Sequence, residues 1–304
     1  MKESIVIGAS GMVGAHLAAA LTAEGRNPIA TCHSTPIPLT TPLDIRDRAG
    51  VQRLFSEARP GWVYLPAALP NVDYCESHPA ETYPTNVRGV QHVVQAANAV
   101  GARIIYFSTD FIFNGENGPY DEMDTADPIS EYGRQKLEAE HFIALFARDF
   151  LIIRTTVVYG WEQQGKNFVY RLVQSLRNGT PVKVPVDQIG SPTYVNNLAR
   201  LAVKLAHSPL SGVINVTGPD CVSRYDFALH AARVFGLDQN LIIPVTTPEL
   251  GQPARRPLKA GLKIDKVRSF LQTDTIGYRE GLSLMAREID PPPADQRTRW
   301  QPGK

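Results

Sequence analysis

The strongest constraint on the fold is the alternation of short β-branched runs with longer helical patterns over the first 155 residues. The β-type runs are SIVIG, PIATC, WVYL, RIIYFST and FLIIRT, and helical patterns lie between them near residues 12–24, 48–58 and 80–100 and from residue 131 onwards. Strands and helices that alternate in this way form a parallel sheet covered by helices on both faces. We therefore expect an α/β fold of the Rossmann type, with a doubly wound parallel sheet.

The pattern changes after residue 155. Helices are expected near residues 167–178 and 195–207 and from Ser223 to Phe235, with a strand at GVINVTG and proline-rich connections. A chain of 304 residues is long enough for two domains. We expect a dinucleotide-binding domain over residues 1–155, to which a segment of about 186–220 returns, and a smaller substrate-binding α/β domain over residues 156–289. Residues 290–304, rich in proline and charge, are expected to form a tail along the surface.

The composition argues against several classes of function. Hydrophobic residues make up 43% of the chain and charged residues 20%, and the net charge is only +1, so no broad basic field is expected to bind nucleic acid or a membrane. The apolar runs are too short to span a bilayer and MKESIVIGAS has no signal-peptide pattern, so we expect a cytoplasmic protein. Cys32, Cys75 and Cys221 lack metal-ligand spacing and are expected to be buried reduced thiols, with no metal site. The expected partner is a small molecule.

The glycine-rich stretch GASGMVG, residues 8–14, follows the first predicted strand and opens the first predicted helix. Gly8 permits a tight turn, Gly11 lets the backbone approach a pyrophosphate, and Gly14 allows close packing of helix and strand. The helix amino terminus then attracts the phosphate charge. The alternative is a tight strand-to-helix turn with no ligand.

The end of the second predicted strand, TCHST, indicates which cofactor is used. An acid at this point would accept the ribose 2′-hydroxyl of NAD. No carboxylate stands there, and His33, Ser34 and Thr35 could donate hydrogen bonds to a 2′-phosphate, although a solvated turn would have the same sequence. This favours NADP, with NAD as the second choice.

The stretch EYGRQKLEAE, residues 131–140, places Tyr132 one helical turn before Lys136. An ammonium group close to a phenol lowers the pKa of the phenol, which suits proton transfer. The alternative is an ordinary amphipathic helix with a surface Tyr/Lys pair. Its two faces would then be an apolar one with Leu137, His141 and Leu145 and a solvated one with Arg134, Glu138 and Glu140.

A run just upstream, RIIYFS, ends in the hydroxyls of Ser108 and Thr109, at the strand edge where parallel sheets bind ligands. A glycine loop, a strand-end Ser/Thr and a Tyr with Lys one turn later, in this order, resemble the extended short-chain dehydrogenase/reductase superfamily. Within it, the chain from Ser4 to about Ile289 resembles the dTDP-4-dehydrorhamnose reductase family. The segments that carry the resemblance are VDYCE (72–76), STDFIFNGENGPYDEMD (108–124), DPISEYGRQKLEAE (127–140), RTTVVYG (154–160), GKNF (165–168) and VDQIGSPTYVNNLA (186–199).

The resemblance implies roles for residues along most of the chain. Catalytic positions are implied for Thr109, Tyr132 and Lys136. Cofactor contacts are implied for Gly8, Gly11, Met12, Val13, Gly14, His33, Ser34, Asp44, Ile45, Ala67, Ala68, Asn86 and Lys136, with Asp44 and Ile45 near the adenine. For Asn86 a capped helical turn is an equal alternative. Substrate contacts are implied for Asp110, Asn167, Phe168 and Arg256.

Two departures from the family pattern bear on function. The Asn-Ala-Ala that usually follows the third strand is Leu65, Pro66, Ala67 and Ala68 here, so one polar group beside the cofactor is missing. Val157 stands where rhamnose reductases commonly carry Trp, so we expect a reshaped sugar pocket.

A second basic feature is QPARRPLK, residues 252–259, in which Arg255 and Arg256 lie among prolines. Forked guanidinium donors in a fixed loop suit a diphosphate, and a solvated surface pair is the alternative.

Together these features favour an NADPH-dependent reductase of a nucleotide-activated keto sugar, with Tyr132 as proton donor and a homodimeric assembly. Three alternatives stay open. One is a sugar-nucleotide epimerase, and another is an NADP-binding enzyme that acts on a different carbonyl. The third is a non-catalytic regulatory subunit, because the β subunit of methionine adenosyltransferase resembles the same family and binds a partner enzyme.

Overall fold

The computed structural model describes residues 3–273 and 275–288. The predicted tail over residues 290–304 and the predicted end of the second domain at Ile289 lie outside the described residues.

A parallel sheet with a reversal in strand order forms the centre of the molecule. The strands are β1 (Ser4–Ile7), β2 (Ile29–Cys32), β3 (Thr41–Pro42), β4 (Trp62–Leu65), β5 (Arg103–Thr109), β6 (Phe150–Thr155), β7 (Val158–Tyr159), β8 (Val182–Pro185), β9 (Ile189–Gly190), β10 (Thr193–Tyr194), β11 (Gly212–Asn215), β12 (Val222–Ser223) and β13 (Ile242–Val245). Seven of them form one parallel sheet in the order β11–β6–β5–β4–β1–β2–β3. The order reverses between β1 and β4, so the predicted doubly wound fold is confirmed, and the carboxyl edge at this point is where such sheets bind ligands.

Helices connect and cover the strands. They are α1 (Met12–Ala23), α2 (Arg48–Ala58), α3 (Val72–Ser77), α4 (Pro79–Tyr83), α5 (Gly89–Val100), α6 (Glu131–Phe146), α7 (Phe168–Arg177), α8 (Val195–Ala206), α9 (Arg224–Val234), α10 (Asp265–Leu271) and α11 (Tyr278–Arg287). The bounds of α1, α2, α7, α8 and α9 agree with the sequence-based prediction to within one residue.

The helix predicted near residues 80–100 is instead interrupted by a π-helical turn at Pro84–Arg88. Pro84 has no backbone N–H to donate to the preceding turn, which disturbs regular α-helical bonding. This turn carries Asn86 into the interior, where it is 1% exposed. At Gly89, where α5 begins, a Cβ would lie 2.5 Å from Ile45 Cγ1, so the helix packs directly on that side chain.

Each face of the sheet has its own apolar core. On one face α1 and α8 lie side by side and bury Leu17, Leu21 and Leu198. On the other, Phe55 of α2 and Ile143 of α6 are buried together with side chains of α5. Full burial of a large apolar side chain stabilises the fold by about 1.5–3 kcal/mol. Helices therefore cover the sheet on both faces. The covering helix α8 and the edge strand β11 come from the second half of the chain.

A third core lies beyond the sheet. It includes Tyr159, Trp161, Phe227 and Leu282 and is surrounded by α7, α9, α11 and the parallel pair β8–β13. These residues lie within the segment predicted as the second domain. The division near residue 155 stays a prediction.

Residues 254–263, which we call the strap, run between the loop after β5 and strand β9. The backbone N–H of Lys259 donates to the Gly115 carbonyl at 2.8 Å, and that of Ile189 donates to the Leu258 carbonyl at 2.6 Å. At Gly115 a Cβ would lie 2.4 Å from the Cα of Pro257, so the loop and the strap are in direct backbone contact. The strap thereby fixes the spacing between the carboxyl edge of the sheet and the third core.

The cysteine prediction is wrong in part. Cys32 and Cys75 are buried, but Cys221 is exposed. Cys221 lies in the turn between β11 and β12, outside both strands, and its Sγ is 3.5 Å from Ser191 Oγ. Among the described residues no helix is long and apolar enough to cross a bilayer, and no His/Cys/Asp/Glu group is arranged to hold a metal ion.

Candidate active site

The glycine loop between β1 and α1 has the geometry that its three glycines predict. Gly8 adopts a φ of 90°, a left-handed conformation that favours glycine. A Cβ on Gly14 would lie 2.2 Å from the Gly8 carbonyl oxygen, so only glycine allows the helix to pack this close. Gly11 is the N-cap of α1, and no acidic side chain lies in the first turn, where Met12 and Val13 are located. A loop of this shape, with backbone N–H groups at a helix amino terminus, fits the pyrophosphate of a dinucleotide.

At the adenine end of the predicted cofactor site, the structure brings Asp44 next to His33. The His33 Nε2 lies 3.3 Å from Asp44 Oδ2, and Ser34 beside it is exposed. Hydrogen bonds from Arg46 hold the pKa of the Asp44 carboxyl below its usual range. The strand end itself carries no acid, as the sequence shows, but a carboxylate paired with arginine stands close to it in space.

Of the loop residues Ala67 and Ala68, both predicted beside the cofactor, Ala67 lies against the glycine loop. A Cβ on Gly8 would lie 3.0 Å from Ala67 Cβ. Asn86 holds this loop from behind, since its Oδ1 accepts from Leu69 N at 2.8 Å and its Nδ2 donates to Gln135 Oε1 at 2.9 Å. In the structure Asn86 therefore positions the loop that packs on Gly8.

Thr109 and Tyr132 meet at the carboxyl end of β5. Helix α6 begins after the N-cap Ser130, whose Oγ accepts from Gly133 N at 3.3 Å. A Cβ on Gly133 would lie 2.2 Å from the Phe111 carbonyl oxygen, so glycine lets the first turn of α6 approach the turn that follows Thr109. This approach buries the Tyr132 phenol close to the Thr109 hydroxyl, which acts to lower the pKa of the phenol.

Lys136 lies one turn along α6, 2% exposed. Its Nζ donates to the Phe107 carbonyl at 2.7 Å and lies 3.9 Å from the centre of the Tyr106 ring. Burial lowers the pKa of Lys136 to about 7, and the Glu140 carboxylate acts in the opposite direction. The ammonium is thus held at the end of β5, on the same helix face as the phenol.

The predicted lowering of the phenol pKa is wrong for this arrangement. Burial raises the pKa of Tyr132 well above its ordinary value, and the Thr109 hydroxyl offsets this only in part. The phenol is buried at the carboxyl end of β5, where water is excluded. The spacing of residues along the helix does not reveal this burial. Tyr132 is therefore a phenol that holds its proton until an acceptor takes it.

The alternative assignment of the two faces of α6 is wrong in part, although Arg134 and Glu138 are exposed as it predicts. Glu140, assigned to a solvated face, is buried and bound by Arg154 of β6, with Nη2 2.8 Å from Oε2. Leu145, assigned to the apolar face, is 77% exposed, and His141 is exposed as well. The face that packs on β5 and β6 carries Tyr132, Lys136, Ala139, Glu140 and Ile143.

A cleft opens beside Asp110 and Phe111, the two residues that follow Thr109, and the Phe111 ring packs against Tyr132. Side chains from distant parts of the chain line it, among them Asp110, Thr156, Val157, Gln188, Arg224 and Arg256. Asp110 is 4% exposed; its Oδ2 accepts from Thr156 Oγ1 at 2.6 Å and its Oδ1 from Thr109 Oγ1 at 3.1 Å. Burial raises the pKa of Asp110 to about 6.

Arg256 of the strap lines the cleft, whereas Arg255 is exposed. The Arg256 guanidinium forms a forked ion pair with Asp73 of α3, at 2.6 and 2.5 Å. Burial alone would raise the pKa of Asp73, but hydrogen bonds from Arg256 and from Ala254 N outweigh it and the pKa is lowered. The pair attaches the strap to the half of the molecule that carries the glycine loop.

Arg224 is a cleft residue that the sequence analysis did not identify. It stacks over the Phe168 ring at 4.9 Å and interacts electrostatically with Asp110. Burial lowers its pKa to about 10. One signal was present in the sequence: Arg224 is the first residue of α9, where a positive charge opposes the helix dipole.

Asn167 and Phe168 lie at the start of α7. Asn167 caps this helix through Tyr170 N and donates from Nδ2 to the Gly160 carbonyl and to Glu162 Oε1, at 2.9 and 2.8 Å. Phe168 supports Arg224. Direct contact of either residue with substrate stays a prediction.

Val157 forms part of the cleft wall with a left-handed backbone, φ 43°. A β-branched side chain is strained there, by about 1–3 kcal/mol. The conformation is held by neighbours, because Thr193 donates from N to the Val157 carbonyl at 3.2 Å and from Oγ1 to the Thr156 carbonyl at 2.7 Å. The shape of the cleft at this position is therefore set by the backbone as well as by the side chain.

Comparison with known proteins gives consistent results. Residues 1–290 match the family model described as RmlD substrate binding domain. The chain is 34% identical over 259 residues to the spore coat polysaccharide biosynthesis protein SpsK of Bacillus subtilis, which covers 84% of this chain and 87% of that protein. It is 30% identical over 280 residues to a dTDP-4-dehydrorhamnose reductase of Aggregatibacter actinomycetemcomitans, covering 88% and 92% of the two chains. The crystal structure of dTDP-4-dehydrorhamnose reductase from Bacillus anthracis in complex with NADP superposes with a TM-score of 0.87 at 31% identity, over 94% of this chain and 99% of that one.

Proposed function

The chain belongs to the dTDP-4-dehydrorhamnose reductase family and is an NAD(P)-dependent oxidoreductase of the short-chain dehydrogenase/reductase type, and from this premise we propose that it reduces a nucleotide-activated 4-keto-6-deoxy sugar with NADPH. The observation that carries the proposal is the juxtaposition of Thr109, Tyr132 and Lys136 at the end of β5, beside a cleft lined by arginines.

The described residues fit the cofactor. Gly8, Gly11 and Gly14 would hold the pyrophosphate at the amino terminus of α1, where a Cβ on Gly14 would lie 2.2 Å from the Gly8 carbonyl oxygen. Ala67 and Ala68 would lie beside the cofactor, and Asp44 and Ile45 near the adenine. His33 and Ser34 would meet the 2′-phosphate, with the Asp44 charge neutralised by Arg46. When bound, NADPH supplies the hydride.

The chain itself supplies the proton and the polarisation of the carbonyl. In this proposal the Thr109 hydroxyl donates a hydrogen bond to the sugar carbonyl oxygen, and Tyr132 gives its proton to the oxygen as negative charge develops there. Lys136, held by the Phe107 carbonyl, stabilises the phenolate that remains and helps to bind the nicotinamide ribose.

The cleft favours an anionic, nucleotide-linked substrate. Arg224 and Arg256 bring two guanidinium groups to its wall, with Gln188 between α9 and the strap as a further polar group. Guanidinium groups suit diphosphate oxygens. Val157 in the wall leaves the sugar without an aromatic surface at this position, so we expect a specificity that differs from that of the rhamnose enzymes or is looser.

The test is turnover with a panel of dTDP-, UDP-, GDP- and CDP-linked keto sugars. Turnover is measured as the oxidation of NADPH and, in parallel, of NADH. We expect reduction of at least one member, faster with NADPH. Tyr132→Phe should lower kcat by about 10²- to 10⁴-fold, because it removes the donated proton, while calorimetric titration shows nearly unchanged affinity for NADPH. Tyr74→Phe, at an exposed position, is the matched control and should keep full turnover.

Three outcomes would contradict the proposal. Near-normal turnover of Tyr132→Phe would place the proton donor elsewhere. Equilibration of sugar epimers with tightly retained cofactor would favour the epimerase. NADPH binding without reduction of any sugar, together with a stable complex with a second protein, would favour the regulatory subunit.

A further inference from the structure

We propose that Asp110 returns the proton to Tyr132 after each reduction, through the Thr109 hydroxyl. The proposal rests on the proposed reductase function. It assigns to Asp110 a relay between the cleft and the buried phenol, whereas the sequence resemblance implied only a contact with substrate.

The geometry forms a continuous chain of hydroxyl and carboxyl groups. The Thr109 hydroxyl is close enough to the Tyr132 phenol on one side to act on its pKa, and on the other side it donates to Asp110 Oδ1 at 3.1 Å. Asp110 Oδ2 is bonded to Thr156 Oγ1 at 2.6 Å. Of these groups, Asp110 and Thr156 line the cleft, so the chain runs from a phenol with little exposure to a surface that water and substrate reach.

Few other groups around Tyr132 can serve as a proton source. The Phe111 ring packs edge-on against the Tyr132 ring, with centroids 5.9 Å apart. The Lys136 ammonium directs a hydrogen bond to the Phe107 carbonyl. Cys75 is buried close to the phenol, and burial raises the pKa of its thiol. The hydroxyl of Thr109 is the neighbour that leads from the phenol to the cleft.

The groups that face Asp110 come from five parts of the fold. They are Thr109 of β5, Tyr132 of α6, Thr156 after β6, Arg224 of α9 and Arg256 of the strap. Burial raises the pKa of Asp110 to about 6, and the two threonine hydroxyls and Arg224 act against this rise. Both protonation states are therefore accessible near neutral pH, which a proton-transfer group requires.

The proton balance is as follows. Hydride and the Tyr132 proton together convert the carbonyl to an alcohol, and a phenolate remains. The Thr109 O–H bond breaks as its proton passes to the phenolate oxygen, while the Asp110 O–H bond breaks as its proton passes to Thr109 Oγ1. Asp110 becomes a carboxylate and takes a proton from water in the cleft.

The test compares the unmodified enzyme with Asp110→Asn and with Asp127→Asn, the same chemical change at an exposed position. Because reduction consumes the acid form of Asp110, kcat of the unmodified enzyme should fall as the pH rises through about 6. In Asp110→Asn this dependence should vanish and steady-state kcat should fall by about tenfold or more. A rapid burst of one cofactor equivalent per site should precede the slow phase, since each Tyr132 starts with its proton. The slow phase should carry a solvent deuterium isotope effect, and Asp127→Asn should behave as the unmodified enzyme.

A raised KM for Asp110→Asn with an unchanged pH profile of kcat would overturn the relay and leave Asp110 as a substrate contact. If Asp110→Asn lost both the burst and steady-state turnover, the relay would be overturned as well. Infrared titration of the protein without substrate provides a readout that does not depend on the proposed function. A carboxylic acid band that titrates near pH 6 and is absent from Asp110→Asn supports the relay, whereas titration in the ordinary range of a carboxyl, about 4, would overturn it even if no sugar were reduced.

Discussion

At the scale of single residues, we expect Gly14 to be required for the packing of the fold and Gly11 to be required for cofactor binding. A Cβ on Gly14 would lie 2.2 Å from the Gly8 carbonyl oxygen, whereas one on Gly11 would lie at an ordinary 3.4 Å from the same atom. Gly14→Ala should therefore lower the free energy of unfolding by about 1–3 kcal/mol, because backbone must move to admit the methyl group. Gly11→Ala should cost about 1 kcal/mol or less and yet weaken NADPH binding, because the methyl group stands where the pyrophosphate approaches.

Urea unfolding and calorimetric titration of NADPH on both variants check this prediction. Equal losses of stability would mean that Gly11 serves the fold alone. If Gly11→Ala bound NADPH with undiminished affinity, the pyrophosphate would not bind at this loop.

Residue roles could be predicted from sequence where they depend on near neighbours along the chain. The conformations of Gly8 and Gly14 follow from a strand-to-helix turn within seven residues, GASGMVG. The burial of Glu140 depends on its ion pair with Arg154 of β6, and the raised pKa of Tyr132 depends on the burial of the phenol where α6 packs on the turn after β5. A pattern along one helix contains no information on those partners, so both expectations were wrong.

At the scale of one element, α6 carries Tyr132, Lys136 and Glu140 in successive turns toward the sheet. Glu140 opposes the lowering of the Lys136 pKa, and Glu140 is itself paired with Arg154. Glu140→Gln should therefore lower the Lys136 pKa below its present value of about 7. Since cofactor binding is proposed to need the ammonium, the pH above which affinity for NADPH declines should move down.

Calorimetric titration of NADPH over a range of pH tests this, with the exposed Glu138→Gln of the same helix as control. Glu140→Gln also leaves Arg154 buried without a carboxylate, so stability should fall by about 3–5 kcal/mol. Unfolding curves must show that the variant is folded at each pH. An unchanged pH dependence in folded protein would contradict a link between Glu140 and Lys136.

The elements themselves were largely readable from sequence, because runs such as RIIYFST and the spacing in α1 and α8 have clear periods. The π-helical turn at Pro84–Arg88 was not, since Pro84 indicates a disturbed helix but does not indicate that Asn86 packs against the loop before it. Two-residue strands such as β9 and β10 were also missed. They exist through pairing with distant partners and have too few residues for a period.

At the scale of the whole molecule, the pair Asp73–Arg256 joins the strap to the cofactor half. A double-mutant cycle with Asp73→Asn and Arg256→Met should give a coupling free energy of about 1–3 kcal/mol at neutral pH, because the guanidinium side chain is 10% exposed. The pKa of Asp73 is lowered in the folded protein, so the coupling should be present above the ordinary carboxyl range and decline as the pH falls below it.

Urea unfolding at neutral and acid pH measures the cycle, with the solvated pair Arg134–Glu131 as control, for which about 0.5 kcal/mol is expected. Equal coupling for the two pairs would show that the strap is not held at Arg256. The homodimer and the domain boundary near residue 155 stay predictions at this scale, and light scattering that gives the mass of one chain would contradict the dimer.

The position of β11 at one edge of the sheet has a consequence during translation. Strand β6 ends at Thr155 and its outer neighbour begins at Gly212, so about 57 further residues must be synthesised, over about 3–12 s at usual elongation rates, before that edge is paired. During this interval the nascent chain exposes the apolar edge FLIIRT, which can pair with other chains. The strap follows still later, so the cleft is completed only after every strand of the sheet has been synthesised.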